Sequence, residues 1–123
     1  MPKNRAHEIE GFLPLRPVEF QILLSLAGAE RHGYGILRDA EDRTGAPVRW
    51  GLGTLYRALR RLVAQGVIEP STRRPAAADA DGERRNYYRI TSLGRAVVRA
   101  EARRLEALVR AAHASGVLDA REA

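Results

Sequence analysis

Between Gly53 and Ile68 the chain reads GTLYRALRRLVAQGVI, and five side chains in it, Thr54, Tyr56, Arg57, Arg60 and Arg61, can do one kind of chemistry. They offer hydrogen bonds and positive charge to a polyanion, and no acid lies among them. The planar fork of an arginine grips guanine O6 and N7 with two hydrogen bonds, worth about 1–3 kcal/mol of discrimination between bases. On a helical wheel Leu55, Leu59 and Leu62 gather into one apolar stripe, and the polar five spread over the opposite arc. Arg57 lies nearly opposite the leucines, which makes it the first choice for a base contact. Arg61 follows one turn further along and Thr54 stands at the entering end. Tyr56 and Arg60, on the flank, suit phosphate oxygens, which fix register without reading sequence. Two alternatives stay open: the Tyr56 ring packs against a neighbouring hairpin, or Arg61 is spent in a surface ion pair.

Other chemistries find little support. His7, His32 and His113 are far apart, none has metal-ligand spacing, and no phosphate loop or nucleophile motif is present. No enzyme activity, cofactor or metal is therefore expected. The chain has no cysteine, no apolar run of about 18 residues and no signal-peptide core, which reads as a soluble, cytoplasmic protein. Its formal charge of +6 is unevenly placed. Residues 1–48 hold six cations against seven anions, whereas 49–68 hold four arginines and no acid. A nucleic acid is the obvious partner for that patch, although a basic face is also what an arginine-rich composition produces.

The elements that would position these residues can be read in order. Residues 1–14 are mixed in charge and form a loose arm. Pro17 suits a first helical position, and Val18, Ile22, Leu23 and Leu26 recur at helical spacing, so a first helix runs from about Pro17 to Ala29. Glu30 to Gly33 break the chain. Tyr34 to Thr44 form a second helix, with Leu37 and Ala40 inward and Gly45 at its end. The arginine-bearing helix is the third, closed by Gly66. Val67–Ser71 and Arg85–Thr91 read as two strands of a hairpin, with Arg84, Arg85 and Tyr87 placed to touch a DNA backbone and Tyr88 and Ile90 directed to the core. Trp50, just before the third helix, packs against this wing or stacks on a ligand. Ser92 to about Ser115 form one long helix stopped by Gly116. Its stripe of Leu93, Val97, Leu105, Leu108, Val109 and Ala112 is broader than one small domain can cover. A homodimer is expected from it, with packing back onto the first helix as the alternative. The fold class is mainly α with a small β-hairpin: a winged helix-turn-helix over 15–91, a dimerisation helix over 92–116 and a tail over 117–123.

With these pieces placed, the sequence resembles the PadR family of bacterial transcriptional regulators. Three motifs carry the likeness: ILLSLAGAERHGYGI (Ile22 to Ile36), GTLYRALRRLVAQGVIE (Gly53 to Glu69) and RRNYYRITSLGR (Arg84 to Arg95). The short carboxyl end looks like the compact branch of the family, with a single helix after the wing. The resemblance implies a dimeric DNA-binding factor, most often a repressor, with small aromatic or drug-like molecules as effectors. The wing tip, Pro75 to Glu83, is long and partly acidic, and there the chain departs from the family pattern. A protein-interaction module that uses the same fold without DNA is the competing class, and it would not require the basic arc.

Overall fold

Prolines open two of the described helices and glycines close three, and the order of elements follows from that punctuation. The computed structural model describes residues 2–71 and 86–119. In chain order it contains α1 (Pro2–Glu10), α2 (Pro17–Gly28), β1 (Arg31–His32), α3 (Gly33–Thr44), α4 (Leu52–Ala64), β2 (Ile68–Ser71), β3 (Tyr87–Ile90) and α5 (Ser92–Ala114). Pro17 occupies the first turn of α2, where its missing N–H costs nothing. Gly45, Gly66 and Gly116 end α3, α4 and α5 with φ of 74°, 78° and 79°, a left-handed setting that side-chain-bearing residues rarely adopt. After Gly66, the Val67 N–H reaches back to the Leu62 carbonyl at 3.2 Å and delivers the chain straight into β2.

Two expectations need correction. The arm is not loose: α1 is helical and packs near α5, with Ile9, Phe12 and Leu13 against the core. Those three apolar residues are too few and too irregular to show a helix by periodicity, but they are enough to seat one. The break at Glu30 to Gly33 contains a strand, β1, so the wing is part of a three-stranded antiparallel sheet in the order β1-β3-β2. Arg31 pairs with Tyr88 and His32 with Tyr87, while Ile68 pairs with Ile90 across the hairpin. Such a two-residue strand exists only through its pairing, which no local pattern reveals.

The core joins Ile22, Leu23 and Leu26 of α2, Ile36 of α3, Leu55, Leu59 and Leu62 of α4, Val67, Ile68, Ile90 and Val97. Polar bonds fix the helices around it. The Arg43 guanidinium on α3 donates to the Gln21 side chain and carbonyl, to the Ser25 hydroxyl at 3.1 Å and to Asp39 at 2.7 Å, stitching α3 to α2. Burial pushes the Asp39 carboxyl up, but hydrogen bonds from Arg43 and Ser25 and the charge of Arg31 outweigh it and hold the group below the usual carboxylate range.

One buried acid sets a pH dependence. Glu101 of α5 is 2% exposed, and both of its oxygens accept from Arg104, at 2.8 Å each. That hydrogen bonding depresses the Glu101 pKa; burial opposes it, and the Arg104 charge and the Leu15 backbone add to it. A folded-state pKa below the unfolded one stabilises the fold above the ordinary carboxyl value, and this contribution disappears as pH falls through the folded value. Arg104→Ala removes the main depressing cause and leaves burial to raise the pKa. The stability gap between wild type and variant should be widest at neutral pH and close as pH falls below the ordinary carboxyl range and through the depressed folded value. Urea midpoints at both ends check this, and a gap independent of pH would deny Glu101 its charge.

Candidate nucleic-acid interface

The arginine-bearing helix presents one face to the core and the other to solvent. Leu55, Ala58, Leu59 and Leu62 are fully buried, and Tyr56, Arg57 and Arg60 are exposed with Thr54 beside them. Arg57 makes one weak contact, an Nη2 donated to the Thr54 hydroxyl at 3.4 Å. No acid among the described residues pairs with Arg57 or Arg60. The two forks therefore stay available to an outside anion.

Arg61 does not share that face. Its Nε donates to Glu19 Oε2 at 2.7 Å, and its side chain lies partly buried along α2. The wheel places Arg61 only some 40° from Arg57, yet a long side chain can swing to a buried acid nearby. Glu19, 42 positions earlier, supplies that acid, and the ion-pair alternative describes Arg61 better than a base contact does.

Tyr56 is 41% exposed, and its ring rests on the first turn of α3. A Cβ on Gly33 would lie 2.7 Å from the Tyr56 hydroxyl and 2.9 Å from Cζ, so the ring occupies space that any other residue at 33 would claim. Tyr88 of β3 is half-buried nearby, and burial raises its pKa. In sequence Gly33 is legible only as part of the break between two helices; nothing in the HGYG run shows the ring above it. Gly33→Ala is expected to displace Tyr56 while changing stability by less than about 1 kcal/mol, because alanine also favours the helix by about that amount. Weaker DNA binding with an unchanged melting point is the expected result. Unaltered binding would show that the seat of Tyr56 on Gly33 is irrelevant to it.

On the wing, Tyr87 is half-buried with its ring edge-on to His32, centroids 5.2 Å apart, so only part of it faces outward. His32 also caps α3, its Nδ1 accepting from the Gly35 N–H at 3.0 Å. Arg89 is exposed and donates to Glu69, its partner in register, at 2.7 Å. Arg84, Arg85 and the wing tip at Pro75 to Glu83 lie outside the described residues. Trp50 is half-buried against the core. A further exposed aromatic, Tyr34, has the Arg38 guanidinium 5.7 Å from its ring centre on the first turns of α3.

The expected dimerisation stripe divides into two parts. Val97 is fully buried in its own domain and Leu93 packs against the same core, so neither is free for a partner. Leu108 and Val109 are 55% and 48% exposed, with Leu105 and Ala112 half-buried beside them. The first turns of α5 are occupied by the wing and α2, which leaves only the distal half with apolar surface to cover.

The comparisons agree with this geometry. The sequence model described as the transcriptional regulator PadR-like family matches residues 22–100, from α2 through the wing to α5. The chain belongs to the PadR-like family of transcriptional regulators. This PadR-like chain is 37% identical over 75 residues to an uncharacterized protein of Lysinibacillus sphaericus. The match takes in 61% of the chain and spans 65% of that curated relative. Among solved structures it is similar to a transcriptional regulator from Clostridium thermocellum, with a TM-score of 0.63 and 25% identity over 85% of this chain and 90% of that one. RosR of H. salinarum aligns with a TM-score of 0.55 and 28% identity, covering 85% and 98% of the two chains. A PadR family regulator from Clostridium difficile shares the fold at a TM-score of 0.65 and 18% identity, covering 78% and 94%. The PadR-like fold is thus a winged helix with a C-terminal helix, and no described helix is long and apolar enough to cross a membrane.

Proposed function

We propose that the chain is a DNA-binding transcriptional repressor of the bacterial cytoplasm that binds an inverted-repeat operator as a homodimer. The observation that carries this reading is the solvent face of α4, where Arg57 and Arg60 project beside Thr54 and Tyr56 with no acid among the described residues paired to them. Such a helix fits the major groove, with Arg57 and Thr54 on bases and Tyr56 and Arg60 on phosphates. Arg84, Arg85 and Tyr87 would add backbone contacts from the wing. Leu105, Leu108, Val109 and Ala112 on distal α5 suit the pairing of two copies. A symmetric pair presents its reading helices about 34 Å apart, so half-sites fall roughly one helical turn apart. Release by a small hydrophobic or aromatic effector rests on the family resemblance alone.

The test is enrichment of random duplex DNA on the purified protein at stated salt. A symmetric motif supports the proposal. Failure to enrich any sequence transfers the fold to a protein-interaction role without DNA.

A further inference from the structure

We infer that Glu19 withholds Arg61 from DNA, and that the pair serves as a positioning device for the reading helix. The inference rests on the DNA-binding reading above and names which of its arginines does not touch the ligand. Glu19 is a buried acid on the first turn of α2, and it is held twice. Its Oε1 accepts the Arg16 N–H at 3.3 Å, and its Oε2 accepts Arg61 Nε at 2.7 Å. The first-turn position also favours a carboxylate, because the unsatisfied N–H groups there carry partial positive charge. A doubly held, buried carboxylate cannot follow Arg61 out to a phosphate, and to lose its partner would leave it charged and undersatisfied. Arg61 therefore stays with the protein.

The position of the pair gives it a purpose. Leucines on one face fix the depth of α4 but leave its rotation about its own axis loosely set, since apolar contacts have no direction. The bond from the last turn of α4 to the first turn of α2 supplies a directional constraint. It sets the angle at which Arg57, one turn earlier, leaves the surface. Arg61 thus acts through Arg57 and is a positioning residue. The same acid also removes one cation from the phosphate-facing total, which holds down affinity for DNA of any sequence.

The test is the slope of log Kd against log salt, because each arginine-phosphate contact adds about 0.9 to it. Wild type, Arg61→Gln, Glu19→Gln and the double variant are compared on an enriched operator and on a scrambled duplex. With Arg61 withheld, Arg61→Gln keeps the wild-type slope but loses several-fold of its preference for the operator over the scrambled duplex. Glu19→Gln frees the cation, steepens the slope by about 0.9 per protomer and tightens binding to scrambled DNA. The double variant returns to the wild-type slope, and because it leaves no buried charge unpaired it serves should either single variant fail to fold. A slope lowered by about 0.9 per protomer in Arg61→Gln or in the double variant makes Arg61 a phosphate contact and overturns the inference alone. Wild type that binds no duplex overturns the DNA reading and this inference with it.

Discussion

Gly94→Ala is expected to cost about 3 kcal/mol or more of stability, because the added Cβ meets the tightest surroundings of any described glycine. The added Cβ would stand 2.0 Å from the Val67 carbonyl oxygen and 2.7 Å from Ile90 Cγ1. Neither neighbour can step aside. The Val67 carbonyl accepts the Thr91 N–H at 3.1 Å and belongs to a fully buried residue just after the turn that ends α4, while Ile90 is paired in the sheet with Ile68. Extra volume in a packed core costs typically about 1–3 kcal/mol, and a clash with backbone belongs at or above the upper end. Helix propensity works the other way by about 1 kcal/mol, so the steric cost exceeds what a denaturation curve reports. Urea unfolding should show the midpoint falling sharply or the cooperative transition vanishing. A variant as stable as wild type would mean that α5 does not sit against Val67.

The second large effect concerns recognition. Arg57→Ala should relax the choice of base at one position in each half-site by about 1–3 kcal/mol, since a bidentate arginine-guanine contact carries about that much discrimination. The side chain is exposed and bound only at 3.4 Å to Thr54, so its removal leaves no buried group unsatisfied and the fold should survive. Arg60→Ala provides the contrast: it should weaken operator and scrambled DNA alike and make binding less sensitive to salt. Competition binding with single-base operator variants at fixed salt separates the two. Uniform weakening by Arg57→Ala across all variants would assign Arg57 to the backbone.

How much of this was legible in the sequence depended on how far apart the interacting residues are. Helix ends were readable because they are local: Pro17 starts α2, and Gly45, Gly66 and Gly116 close three helices at positive φ. The buried stripe of α4 was readable because helical spacing puts Leu55, Leu59 and Leu62 on one side. The acid that holds Arg61 was not legible because it lies 42 residues away, and a wheel shows where a side chain starts but not where it ends. Where the α5 stripe divides, and that Glu101 is buried beside Val97, was not legible for a related reason. The α5 stripe looks continuous in sequence, yet what packs against the helix comes from α1, α2 and β3, elements that its local pattern does not show. Tyr-Tyr-x-Ile-Thr-x-x-Gly carried the family likeness, and its physical content emerged only in three dimensions. Thr91 caps α5 by accepting from the Gly94 N–H and donates its hydroxyl to the Gly66 carbonyl, and Gly94 leaves room for Val67.

The division of α5 also has a mechanical meaning. Its root, Ser92 to Glu101, is clamped by the Thr91 hydroxyl, the tight seat of Gly94 and the bond network of Glu101. Beyond that clamp thirteen residues, roughly 20 Å of helix at 1.5 Å per residue, extend as a cantilever. A load on Leu108 or Val109 at the free part is felt as torque at the root, and the root holds both the carbonyl that ends α4 and the strand that carries Tyr87. A partner seated on Leu108 and Val109 would load the same root that meets the Gly66 carbonyl and β3.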